Sequence, residues 1–364
     1  MSNVALNVPI NSVSFGQVST CILRELQSRG EMDPCIFPVG GSIDLSCQEL
    51  STADSFVDWL QKNANKSISE HSKSTPCFKL WHLNGSLESV SADQTLFTFY
   101  ELDAPTPAEI NIAKNQKKIL LSSNYSVNVF KEFGVDTAHY VPLCFDKYNF
   151  KATGKKYFND DRITFNLVGK FEKRKHHAKV ISAWIKKYGN NKKYHLQCAI
   201  YNPFLKEEDN KNIFSQLMGG ENKFNVSFLG FMPKNALYND FLNSGDIVVG
   251  MSGGEGWGLP EFQSVGVGKH AVILNASAYK DWANEKNAVL VNPSGKIDAE
   301  DGVFFQKGAP FNQGRIFDFK EDEFIDACEE AIKRVESSRV NQEGLKIQED
   351  FTIEKMVDNI FSHV

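Results

Sequence analysis

Twice along the chain, short apolar runs alternate with segments whose apolar residues recur at helical spacing, and few folds accommodate that alternation. In the first series "VALNVPI" (4–10) reads as a strand. "SFGQVSTCILRELQSRG" (14–30) reads as a helix with Val18, Cys21, Ile22 and Leu26 on one face and Gly30 as its stop. "DPCIFPV" (33–39), "CFKLWHL" (77–83), "TLFTFY" (95–100) and "KKILLSS" (117–123) are further strands, and "PTPAEINIAKN" (105–115) and "YSVNVFKEFGV" (125–135) are helices. A second series runs through "RITFNLVGK" (162–170), "HAKVISAWIKKYG" (177–189), "YHLQCAIY" (194–201), "NVSFLGF" (225–231), "NALYNDFLNSG" (235–245), "DIVVGM" (246–251), "AVILNA" (271–276) and "AVLVN" (288–292). After an irregular stretch (299–319) come two helices, "EDEFIDACEEAIKRVESS" (321–338) and "TIEKMVDNIFSHV" (352–364). At 364 residues the chain exceeds what one core supports. The polar stretch at 141–161 divides the two series. The expected architecture is α/β, two Rossmann-like α/β/α domains facing a central cleft, with ligands at the carboxyl ends of the strands.

Charge and cysteine usage narrow the function classes. The first 150 residues hold 11 Lys and Arg against 16 Asp and Glu, while the remaining 214 hold 29 of each. An acidic first half argues against a nucleic-acid partner or an anionic membrane surface there. The apolar runs are far shorter than a bilayer crossing, although peripheral membrane contact is left open. "MSNVALNVPI" lacks the basic start and long apolar centre of a signal peptide, so a cytoplasmic protein is expected. The seven cysteines are scattered and contain no C-x-x-C pair. They read as reduced, partly buried thiols, and no metal site is expected.

Chemistry concentrates in two stretches. "MSGGEGWGLPEFQSVGVGKHAVI" (251–273) follows an apolar run with a glycine-rich turn and then opens a helix. That geometry turns unpaired N–H groups and the positive end of a helix dipole toward an anion, which points to a phosphate. Positive charge gathers in "GKFEKRKHHAKVISAWIKKYGNNKK" (169–193). A solvated helix face explains Lys186, Lys187, Lys192 and Lys193. It does not explain Lys170, which directly follows an apolar strand.

These stretches, with "FLGFM" (228–232), resemble the donor-binding domain of retaining glycosyltransferases of the GT-B fold, the group called family four or glycosyl transferases group one. In that family a strand ending in Gly and Arg or Lys, with a Lys a few residues on, holds the donor diphosphate. Gly169, Lys170 and Lys175 match. The family's acidic motif is matched by Glu255, Gly256, Trp257, Gly258 and Leu259. The resemblance implies that Glu255 contacts hydroxyls of the donor sugar while backbone N–H groups after it approach the phosphate. Gly230, Phe231 and Met232 match the segment flanking the nucleotide base. In the first half, Gly16 matches the glycine of the turn that opens the first helix, and His82 the histidine that reaches the transferred sugar. Glu101 either orients an acceptor hydroxyl or caps the helix after it.

The chain departs from the family at the second glutamate of the acidic motif, where Gln263 stands. Glu261 lies two residues earlier, about 200° around a helix, so the two cannot substitute for each other without a changed helix start. The ribose contact is therefore expected from the Gln263 amide oxygen, with Glu261 facing solvent or another partner. Residues 1–155 are expected to form the acceptor-side domain, 156–344 the donor-binding domain, and a C-terminal helix in 345–364 to pack back on the first.

The resemblance implies a metal-independent transferase that moves a sugar from a UDP- or GDP-linked donor, with retention at the anomeric carbon, and requires no other cofactor. The acceptor is the hydroxyl of an unknown glycan, protein or small molecule. Two alternatives share the architecture: a nucleotide-sugar epimerase, and a sugar-nucleotide-binding protein without turnover.

Overall fold

The computed structural model describes residues 4–48, 53–219 and 223–364. The first domain runs β1 (Ala5–Ile10), α1 (Ser14–Arg29), β2 (Cys35–Ile43), α2 (Ala53–Ser69), β3 (Cys77–Leu80), β4 (Gln94–Thr98), α3 (Pro107–Lys114), β5 (Lys118–Leu121), α4 (Asn124–Glu132) and β6 (Ala138–Tyr140). Its strands form one parallel sheet in the order β2-β1-β3-β4-β5-β6. The second domain runs β7 (Ile163–Val168), α5 (His177–Tyr188), β8 (Tyr194–Ala199), α6 (Glu207–Leu217), β9 (Val226–Phe228), α7 (Asn235–Ser244), β10 (Ile247–Gly250), α8 (Leu259–Gly266), β11 (His270–Leu274) and β12 (Val289–Val291). These strands are also parallel, ordered β12-β11-β10-β7-β8-β9. An antiparallel hairpin, β13 (Gly295–Asp298) and β14 (Arg315–Asp318), follows. The chain ends in α9 (Glu321–Ser337), α10 (Gln342–Leu345), α11 (Ile347–Asp350) and α12 (Ile353–Phe361).

The fold meets the expectation of two Rossmann-like units, and the reason is visible in the strands. β1, β3, β4, β7 and β10 are buried along their whole length, because helices cover both faces of each sheet. The chain returns to the first domain at its end. α12 packs on α1, Phe361 reaches Phe78, and Arg29 Nη2 donates to the Glu354 carbonyl at 3.1 Å. All seven cysteines are buried free thiols, and the Cys21 and Cys144 sulfurs lie 3.6 Å apart.

Candidate active site

In each sheet the direction of winding reverses once, and a crevice opens there at the carboxyl ends of the two strands involved. In the second domain the reversal lies between β7 and β10. Gly169 and Lys170 follow β7, and the fully buried loop 251–258 follows β10, so both chemistry-bearing stretches meet at one point. In the first domain it lies between β1 and β3, which places the turn before α1 opposite Trp81 and His82.

The meeting point is a buried cluster of charges. Lys175 Nζ donates to Glu255 Oε1 at 2.6 Å, and Arg174 Nη1 lies 2.9 Å from the same oxygen. Arg174 Nη2 reaches Glu172 at 2.9 Å and Glu101, on the first domain, at 3.2 Å. Lys170 Nζ pairs with Glu172 Oε1 at 2.6 Å and keeps 31% of its side chain open to solvent. Gly169 is required locally on two counts. Its φ is +96°, and a Cβ there would stand 2.9 Å from Lys175 Cε.

The fields within the cluster separate its carboxylates. Burial opposes ionisation of Glu255, yet the adjacent Arg174 and Lys175 charges hold its carboxyl down at about 2. Desolvation likewise opposes the Lys175 charge, and Glu255 overcomes it, so the ammonium is held more firmly than usual. Glu101 and Glu261 go the other way: burial pushes each carboxyl up to about 7. Glu255 is thus a fixed anion, suited to accept hydroxyl hydrogens rather than to take up a proton.

The glycines of the loop let it pass between the domains. A Cβ on Gly254 would fall 2.5 Å from the Glu101 carbonyl oxygen, and one on Gly256 would fall 2.6 Å from Phe99 Cβ. The Gly256 carbonyl accepts from Ser122 Oγ at 2.6 Å. Gly258 sits at φ +80°, against the Tyr279 ring, and Leu259 begins α8. Trp257 turns into an apolar seam, edge-on to Phe262 and Phe351, while its carbonyl accepts from Trp282 Nε1 at 2.9 Å. Its indole is therefore a packing element, and only its backbone is left for the site.

The last turn of the motif differs from the sequence expectation. Gln263 is buried and its Oε1 accepts from the Asp146 N–H at 3.4 Å, so its amide oxygen is occupied at the connection between the domains. Glu261 does not face solvent. It is 2% exposed and lies beside Gly250 and Tyr279 in the field of Lys175 and Glu255, with its Oε2 unpaired. The half-turn between the two positions was legible; which of them faced the cluster was not, because that depends on where β10 sets α8.

His82 forms part of the opposite wall. It lies two residues past the end of β3, is exposed, and packs its ring on Phe15 at 4.3 Å and Trp81 at 5.2 Å. Desolvation, with the Lys170 charge across the cleft, lowers its pKa and favours the neutral imidazole. Glu101 does not cap α3, since Thr106 and Glu109 form a capping box there. Gly16 lies in the first turn of α1, where a Cβ would strike Asn11. The neighbouring Gln17 exchanges two amide hydrogen bonds with Asn235 at the start of α7, each 3.0 Å. Gly230 and Phe231 are exposed, and Met232 packs against an apolar cluster shared by the two domains. None of these three has an ion pair or hydrogen bond to the charge cluster. Arg174, Glu172 and Glu261 belong to the cluster although no sequence assignment placed them there; Arg174 was hidden in a run that reads as a solvated face.

Among the described residues, no group of three His, Cys, Asp or Glu side chains could hold a metal ion, and no helix is long and apolar enough to cross a membrane. Comparison with family models and with curated protein sequences returns no match. Solved structures do match along the whole chain. Sucrose-phosphate synthase from Thermosynechococcus elongatus superposes with a TM-score of 0.68 at 12% identity, covering 100% of this chain and 98% of that one. A glycosyltransferase from Rickettsia africae ESF-5 gives 0.68 at 10% identity, covering 100% and 97%. HepE from Anabaena, in complex with UDP-glucose, gives 0.63 at 13% identity, covering 100% and 98%. The chain therefore has the GT-B fold of these glycosyltransferases, two Rossmann-like domains meeting at a shared cleft.

Proposed function

We propose that this protein is a glycosyltransferase that moves a sugar from a nucleotide diphosphate, UDP- or GDP-linked, to an acceptor hydroxyl. The observation that carries the reading is the convergence of Lys170, Lys175 and Glu255 at the β7–β10 switch point, facing His82 and Glu101 of the other domain. Lys170 and Lys175 exchange their carboxylate partners for the donor diphosphate, whose charge grows as the leaving group departs. Preorganised cations there stabilise the transition state without reorganising water. Gly169 and the backbone of Gly256, Trp257, Gly258 and Leu259 flank the same phosphates, and Gly16 approaches them from the first domain. Glu255, ionised and fixed, receives donor-sugar hydroxyls, while neutral His82 reaches the transferred sugar from the opposite wall. The base lies toward Gly230, Phe231 and Met232. Glu261, rather than Gln263, takes the place of the family's second glutamate and is available to a ribose hydroxyl.

We infer transfer without a metal, because fixed cations supply leaving-group stabilisation, and with retention, as the family resemblance implies. Glu255 is held by Arg174 and Lys175 rather than free to act as a nucleophile, so retention takes the route in which the acceptor attacks on the face the diphosphate leaves and the departing phosphate takes its proton. A cytoplasmic location agrees with seven unpaired cysteines. The test is incubation of the full chain with a panel of UDP- and GDP-sugars and an acceptor array. Free UDP or GDP together with a glycosylated acceptor is expected. An isomerised donor, or binding without turnover, would overturn the reading in favour of an epimerase or a binding protein.

A further inference from the structure

Between β13 and β14, residues 299–314 form a strap that leaves the second domain and seats itself in the first. Asp301 Oδ1 accepts the N–H groups of Val303, Phe304 and Phe305, each at 2.9 Å, which pins the turn. Phe305, 5% exposed, joins Ala299 and Ile316 in the first domain's apolar cluster with Leu83, Leu96 and Tyr100. Thr106 Oγ1 donates to the Pro310 carbonyl at 2.6 Å, and the Asn312 N–H to Glu109 Oε1 at 2.9 Å. Phe304, half-buried, packs against the edge of the same apolar cluster and presents its ring to Lys170. Lys170 Nζ lies 3.9 Å from its ring centre and 4.9 Å from that of Phe204, the two rings standing 5.8 Å apart and nearly perpendicular. On the same side Lys173 Nζ donates to the Glu300 carbonyl at 2.7 Å.

We propose that Phe304 is a positioning residue for Lys170, holding the ammonium at the mouth of the cleft while the strap is seated in the first domain. Lys170 has a flexible stem, and its ammonium is held by Glu172 at 2.6 Å and by two rings, of which Phe304 stands nearer; without Phe304 the ammonium keeps Glu172 and Phe204 but loses the closer ring and gains room to move. Because Phe305 next door is buried in the other domain, the seating of one domain on the other sets where this cation stands. The inference rests on the reading of Lys170 as a diphosphate ligand.

The experiment is calorimetric titration of UDP and of GDP into the full chain, comparing wild type, Lys170→Ala, Phe304→Leu, Phe304→Tyr and the Lys170→Ala/Phe304→Leu pair. A cation over a ring at a partly exposed site is worth about two- to fivefold in an equilibrium, so Phe304→Leu weakens binding by about that factor. Phe304→Tyr restores it, and Phe304→Leu adds nothing once Lys170 is alanine. Where Phe304→Leu fails to fold, Phe304→Met keeps the volume and makes the same comparison. Lys170→Ala weakening nucleotide while Phe304→Leu does not, or an equal Phe304→Leu effect in the alanine background, overturns the role of the strap. Unchanged binding by Lys170→Ala overturns the diphosphate assignment itself, and the positioning role with it.

Discussion

Replacing Glu261 by glutamine tests the electrostatics of the cluster with almost no change of shape. Glu261 is 2% exposed, its Oε2 has no hydrogen-bond partner, and burial moves its carboxyl from 4.5 to about 7. The folded-state value is raised, so this group's contribution to stability is fully present below pH 4.5 and is lost as pH climbs through 7. At 1.36 kcal/mol per pH unit the full loss is about 3 kcal/mol. Glutamine stays neutral and does not share it. Relative to wild type, Glu261→Gln should therefore gain about 1 kcal/mol at pH 5 and about 3 kcal/mol at pH 8.5, apart from a constant offset. The pH dependence of Glu101 occurs in both proteins and cancels in the difference. Urea unfolding followed by tryptophan fluorescence suits the measurement, because Trp257 and Trp282 are buried against Phe262 in the same helix as Glu261. A stability difference that does not change between the two pH values would refute the reasoning, since it would mean that Glu261 is already ionised throughout or is solvated.

Other substitutions separate the roles assigned to the cluster. Lys175→Ala should lower turnover by about 10²–10³-fold, the scale for losing one preorganised transition-state contact, whereas Lys192→Ala on the solvated face changes turnover by less than about twofold; steady-state rates compare them. Glu255→Gln should leave UDP or GDP binding in place while transfer collapses, and equal loss of free-nucleotide binding would put Glu255 at the phosphates instead. Gly254→Ala sets a methyl group 2.5 Å from the Glu101 carbonyl oxygen and should destabilise the closed pair of domains by about 1–3 kcal/mol, seen as a lower melting temperature. Gln263→Ala should change donor KM less than Glu261→Ala does; the reverse order would return the ribose contact to Gln263.

The strands were legible because parallel strands covered on both faces are largely apolar, as "DIVVGM" and "AVILNA" are. The phosphate-facing elements were legible for a related reason: glycines and a lysine directly after an apolar strand have few other uses. What the sequence concealed depended on tertiary placement. Arg174 is charged and stands in a run of lysines that reads as a solvated face, and the 3₁₀ turn at Lys173–Lys175 brings it inward to Glu172, Glu255 and Glu101. The hairpin β13–β14 borders a stretch that reads as irregular, because its apolar residues Ala299, Phe305 and Ile316 are buried in the other domain and so follow no local period. His82 was placed at a strand end, yet its lowered pKa comes from desolvation and, second, from the charge of Lys170 on the second domain, neither of which the local sequence displays.

The central claim is that the charge cluster between β7 and β10 is where a nucleotide diphosphate sits. Crystal structures of the full chain with UDP and with GDP test it most directly. The account predicts diphosphate oxygens within hydrogen-bonding distance of Lys170 and Lys175, beside Gly169, with the 2.6 Å contact between Lys175 and Glu255 opened to admit them. A nucleotide bound elsewhere, with Lys170 still on Glu172 and Lys175 still on Glu255, would contradict it.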